Sequence, residues 1–133
     1  MRRTRVLVID DHKRVLAALL SALDAEPDLD VAGTTGSTQE SIADALSFQP
    51  DVVLLDVKRE DGSGTEICRN IIRERPSTRV LILTSYPDER EKRAVHAVGA
   101  AAYLLKDLDI DGLVREIKGR QMGEGHDLRE VER

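Results

Sequence analysis

The chain predicts an α/β domain with five parallel strands and helices on both faces of the sheet. Three observations lead there. Short unbroken apolar runs rich in branched residues read as strands buried on both sides. Stripes of apolar residues at helical spacing stand between them. The two patterns alternate five times in 133 residues, and such alternation builds a parallel sheet.

Val6–Ile9 is the first buried strand. Val15, Leu16, Leu19, Leu20 and Leu23 then recur at helical spacing and end before Pro27. Leu29–Thr34 is a weaker strand centred on Val31. Ser37 and Glu40 have the spacing of a capping box, opening a helix with Ile42, Ala45 and Leu46 that Pro50 stops. Val52–Leu55 is a second unbroken run and the natural central strand. Ile67, Cys68, Ile71 and Ile72 form the next stripe, which Pro76 closes, and Cys68 is expected in the core. Val80–Leu83 is another buried strand. Asp88–Val98 is a highly charged helix with a thin apolar side, closed by Gly99. Ala102–Leu105 is the fifth strand, and Asp109 caps a last helix carrying Leu113, Val114 and Ile117. The rhythm fails from about Gly119. Residues 1–118 are therefore expected to form the domain, and 119–133 a linker or the start of a further helix.

Composition removes several classes of function. Twenty Lys and Arg against 25 Asp and Glu give a net charge of −5, which disfavours a domain that holds nucleic acid through its overall field. Aromatics are 2% of the chain (Phe48, Tyr86, Tyr103), too few to stack bases or sandwich a flavin. Cys68 is the single cysteine, so no internal disulfide or cysteine-rich metal site can form, and a reducing cytoplasm is the expected setting. No apolar run is long enough to span a bilayer.

In an open parallel sheet, ligands bind beyond the carboxyl ends of the strands. The residues that directly follow the apolar runs are Asp10 and Asp11, Asp56, Thr84 and Ser85, and Lys106. Three carboxylates, a hydroxyl and an ammonium would converge on one edge. Mutual repulsion makes a bare carboxylate cluster unfavourable, and a hard divalent cation such as Mg²⁺ relieves it. A metal, a carboxylate free to attack, a Lys and a Thr hydroxyl suit phosphoryl transfer, which depends on positioning and charge neutralisation.

These motifs together resemble the receiver domain of two-component response regulators, within the LuxR/NarL-type transcription regulators. The residues that carry the resemblance are Val6–His12, Pro50–Asp56, Gly62 and Gly64, Leu81–Tyr86 and Gly99–Asp107, spread over residues 5 to about 118. The resemblance implies a flavodoxin-like (βα)5 fold with strand order 2-1-3-4-5. It implies that Asp56 accepts a phosphoryl group from a sensor histidine kinase. Asp10 and Asp11 would hold Mg²⁺, with Asp11 in direct contact and the backbone carbonyl of Lys58 as the third protein ligand. Lys106 would pair with a phosphoryl oxygen, and Thr84 with another, coupling its movement to Tyr103. Such a domain catalyses only its own phosphorylation and dephosphorylation and is not a turnover enzyme. A homodimer is compatible with the family. DNA would be contacted only through a helix-turn-helix domain beyond Arg133, and no membrane partner is implied. The sequence departs from the family pattern at Arg59 and Glu60, where an apolar residue and Pro are usual.

Other readings compete. Alone, Asp10 and Asp11 would be an acidic cap, Asp56 a strand end, and Tyr103 a half-buried strand aromatic; jointly they favour the receiver. His12 is expected to face solvent at the start of a helix. A haloacid-dehalogenase-like phosphotransferase needs a second Asp two residues after its nucleophile, but Lys58 and His12 stand in those places. A P-loop nucleotidase needs Gly-x-x-x-x-Gly-Lys-Ser/Thr, which is absent. The alternative within the family is a phosphorylation-independent or stand-alone receiver acting as a protein-interaction module. It would be expected to lack one of the acidic residues or the Lys.

Overall fold

The computed structural model describes residues 3–57, 63–107 and 109–119. The strands are β1 (Thr4–Ile9), β2 (Leu29–Thr34), β3 (Val52–Asp56), β4 (Arg79–Thr84) and β5 (Ala102–Leu105). Between and after them run α1 (Lys13–Asp24), α2 (Thr38–Phe48), α3 (Gly64–Glu74), α4 (Glu89–Ala97) and α5 (Ile110–Ile117). The sheet is parallel throughout in the order β2-β1-β3-β4-β5, as expected. Val6 pairs with both Val31 and Val52, Leu54 with Leu81, and Ile82 with Tyr103. Lys58 lies outside the described residues, as do Arg59, Glu60 and the tail beyond Gly119.

The unbroken apolar runs are explained by helices on both faces. Val6, Val8, Leu54, Leu81 and Leu83 point to Leu16 and Leu23 of α1 and to Leu113, Val114 and Ile117 of α5. Their neighbours Leu7, Ile9, Val53, Leu55 and Ile82 point the other way, to Ala45 of α2, Ile67, Cys68 and Ile71 of α3, and Val95 of α4. Alternation along each strand feeds both layers, and each fully buried Val, Leu or Ile contributes roughly 1.5–3 kcal/mol. Cys68 is fully buried, which pushes its thiol up to about 12 and keeps it inert.

The ends of the helices follow local chemistry. At α2, the Ser37 hydroxyl accepts from the Glu40 amide (3.2 Å) while Glu40 Oε1 accepts from the Ser37 amide (2.9 Å), a complete capping box. The Asp109 carboxylate caps α5 by accepting from the Gly112 amide at 2.7 Å. Gly99 closes α4 at φ +104°, a conformation that only glycine adopts freely. Arg79, at the start of β4, donates to the carbonyls of Glu116 (2.9 Å) and Ile117 (3.0 Å) and so ties the strand to the end of α5. Among the described residues, no helix is long and apolar enough to cross a membrane.

Candidate functional site

Strand order reverses at β1, whose neighbours β2 and β3 lead to opposite halves of the sheet. The site opens at the carboxyl ends of β1 and β3, where open α/β sheets bind ligands. Because β1 and β3 end in register (Ile9 opposite Leu55), the next residues, Asp10 and Asp56, emerge side by side. Both are deeply buried, at 1% and 3% exposure. Asp10, Asp11, His12 and Asp56 each present a potential ligand atom, all within 4.8 Å of one another.

Two basic groups balance this negative cluster. Lys106, just past β5, places Nζ 3.0 Å from Asp10 Oδ2 and 3.4 Å from Asp56 Oδ2. The other is His12, which is exposed at the start of α1 as expected but also meets the carboxylates, which the sequence did not suggest. About half of its side chain is exposed, yet Nδ1 lies 3.2 Å from Asp10 Oδ1, 3.2 Å from Asp11 Oδ1 and 3.5 Å from Asp56 Oδ2. The reason is local. His12 is the N-cap of α1 but its side chain makes no capping bond, while its own amide donates to Asp10 Oδ1 at 2.9 Å. That bond fixes the backbone so that the imidazole lies over the carboxylates. Its hydrogen bond to Asp10 raises its pKa from the ordinary 6.5; desolvation opposes the rise, and the charges of Asp11, Asp10 and Asp56 add to it. The readable signal for this role was adjacency to the Asp pair.

Thr84 ends β4 fully buried, and its hydroxyl is engaged locally: it accepts from the Tyr86 amide (3.1 Å) and donates to the Tyr86 carbonyl (3.3 Å). Tyr103 is half-buried on β5, its ring packed against the layer of α3 and α4. Its hydroxyl reaches α4, donating to Glu91 Oε1 at 2.7 Å and accepting from the Asp88 amide at 3.0 Å. Burial, with the Glu91 bond, pushes this phenol up to about 12, so it stays protonated as a donor. The structure thus brings together Asp10, Asp11, Asp56 and Lys106 as expected, with Thr84 at the neighbouring strand end and Tyr103 one strand further out.

An open cleft of about 370 Å³ lies over this edge, lined by His12, Val15, Asp56, Ser85, Tyr86 and Lys106. Its floor offers a carboxylate with an ammonium beside it, and its mouth is open to solvent. Three clustered carboxylates form an oxygen-rich donor set suited to a hard divalent cation. A carboxylate nucleophile, a cation site and an ammonium within a few ångströms are the parts that phosphoryl transfer requires.

Comparison with known proteins agrees with this geometry. The response regulator receiver domain family matches residues 6–118. The DNA-binding transcriptional activator DevR/DosR of Mycobacterium tuberculosis is 39% identical over 124 residues, covering 93% of this chain and 56% of that protein. The transcriptional regulatory protein LiaR of Bacillus subtilis is 35% identical over 120 residues, covering 90% of this chain and 57% of that protein. The chain therefore spans little more than half the length of these curated relatives. Among solved structures, a CheY-like response regulator receiver domain protein from Methanospirillum hungatei JF-1 superposes with a TM-score of 0.82 at 25% identity, covering 98% of this chain and 97% of that one.

Proposed function

This chain belongs to the response regulator receiver domain family, and on that premise we propose that it is a phosphorylation-controlled switch whose acceptor is the Asp56 carboxylate. Its homologues include transcription regulators of the LuxR/NarL type. The observation that carries the reading is the meeting of the Asp10, Asp11 and Asp56 carboxylates with the Lys106 ammonium at one end of the sheet.

Each residue then has a task. An Asp56 oxygen attacks the phosphorus of a phosphohistidine on a sensor kinase. As the P–O bond forms the P–N bond breaks, and the departing imidazole nitrogen keeps the bonding pair and is protonated from solvent. The product on this chain is an acyl phosphate, which water later hydrolyses back to the carboxylate. A Mg²⁺ held by Asp10 and Asp11, with the Lys58 carbonyl as third protein ligand, would neutralise charge on the phosphoryl oxygens. Lys106, already 3.4 Å from Asp56 Oδ2, pairs with one of those oxygens. Thr84 must release its two bonds to the Tyr86 backbone to reach another. That movement vacates space toward Tyr103, which transmits the change to the face of α4, β5 and α5.

In a longer protein of the relatives' size, contact with DNA falls to a helix-turn-helix domain following residue 133. The acidic receiver would then control that domain without touching DNA itself.

Incubation with acetyl phosphate and Mg²⁺ is expected to give an alkali-labile phosphoprotein, and Asp56→Asn none. Equal labelling of the variant would reject Asp56 as acceptor. No labelling of the parent would favour a receiver that acts only through protein contacts.

A further inference from the structure

Two of the described helices, α2 and α4, combine a side-chain cap with a Glu at the third helical position, and they are closed differently. At α2 the N-cap amide of Ser37 donates straight to Glu40 Oε1. At α4 the N-cap is Asp88 and the third helical residue is Glu91, the same spacing. The Asp88 carboxylate makes its half of the box, accepting from the amides of Arg90 (2.8 Å) and Glu91 (3.4 Å). The other half is interrupted. The Asp88 amide donates to the Tyr103 hydroxyl, and that hydroxyl donates to Glu91 Oε1. A phenol from β5 stands where the direct bond would be. Its longer approach to the Asp88 carbonyl, 3.5 Å, is secondary because the single hydroxyl proton goes to the nearer carboxylate.

We propose that Glu91 is a positioning residue for Tyr103, and that Asp88 and Glu91 form a capping box which closes directly when the Tyr103 hydroxyl withdraws. The first turn of α4 then has two alternative caps, one with the phenol inserted and one without it. Withdrawal of the ring leaves the Asp88 amide and the Glu91 carboxylate to pair with each other, as their counterparts do at α2. Only the phenol needs new partners. Without this box, withdrawal of the ring would leave that helix N-terminal amide to water alone and weaken the cap. With the box, the two ring positions lie closer in energy, and a modest signal from the phosphoacceptor site can shift their populations. Movement of Tyr103 is also converted into a changed cap on α4, the helix that flanks the signalling face.

The inference rests on the reading of Tyr103 as the transmitting residue, but its test does not require phosphorylation. Amide hydrogen exchange at Asp88 is measured by NMR in the unphosphorylated protein and in four variants. Glu91→Ala alone leaves the Tyr103 hydroxyl as acceptor, and Tyr103→Phe alone lets Glu91 take over, so exchange at Asp88 rises less than about threefold in each. The double variant Tyr103→Phe with Glu91→Ala has neither acceptor and exchanges about tenfold faster or more. Tyr103→Phe with Glu91→Gln returns exchange to the Tyr103→Phe level, because the amide oxygen accepts in place of the carboxylate. Exchange in Tyr103→Phe as fast as in the double variant would overturn the proposal, as would a double variant no faster than Tyr103→Phe. Either result would leave acceptance at Asp56 untouched, and loss of that acceptance would leave this capping arrangement standing.

Discussion

The place of Asp56 in the carboxylate cluster was readable from sequence because it follows a buried central strand and is matched by Asp10 and Asp11 after another. That of His12 was not, since a histidine opening a helix is ordinarily a solvated residue. Its turn toward the carboxylates depends on a backbone bond, His12 amide to Asp10 Oδ1, that only the folded loop reveals. The consequence is measurable. The folded pKa of His12 is raised above its ordinary 6.5, so its stabilising charge is fully present below that value and is lost as pH rises through the folded one. In the presence of a chelator, the urea midpoint of the parent should therefore fall as pH rises above the ordinary histidine value, and His12→Gln should flatten that slope. A slope unchanged in His12→Gln would remove the imidazole from the carboxylate cluster.

Among the elements, most boundaries were legible because each has a chemical marker. Pro27, Pro50 and Pro76 stop helices, Ser37 and Glu40 start one, and Gly99 takes the left-handed turn after α4. Contacts between elements were less legible. Tyr103 looked like a strand aromatic, and its bond to Glu91 spans 12 residues that no local pattern connects. Gly64 was noticed as part of a motif, but its physical reason appears only in the fold. A Cβ on Gly64 would run into the Val57 Cα and carbonyl oxygen, so α3 begins pressed against the backbone that follows Asp56. Gly64→Ala must push the two apart, at a cost of about 1–3 kcal/mol. Urea denaturation should show the loss as a lower midpoint with an unchanged m-value, and phosphorylation from acetyl phosphate should slow as Asp56 shifts. A variant as stable as the parent would mean that this junction yields without strain.

Across the whole molecule, function follows from topology acting on sequence. The parallel order β2-β1-β3-β4-β5 delivers the ends of β1, β3, β4 and β5 to one edge, so residues 46 and 96 apart, Asp10 with Asp56 and with Lys106, become neighbours. Alternation of strand and helix made that convergence predictable, because parallel strands must all end on the same side. The net −5 of the chain disfavours holding nucleic acid through its overall field, so the domain is suited to act through protein surfaces. The central claim is that Asp56 is the acceptor in a metal-assisted site. Borohydride reduction of the phosphorylated protein, followed by peptide mass spectrometry, tests it most directly, because an aspartyl phosphate alone is reduced to homoserine. With acetyl phosphate and Mg²⁺ the account predicts homoserine at position 56 and at no other aspartate, and none when a chelator replaces Mg²⁺. Homoserine at position 10 or 11, or equal conversion of position 56 with the chelator present, would contradict it.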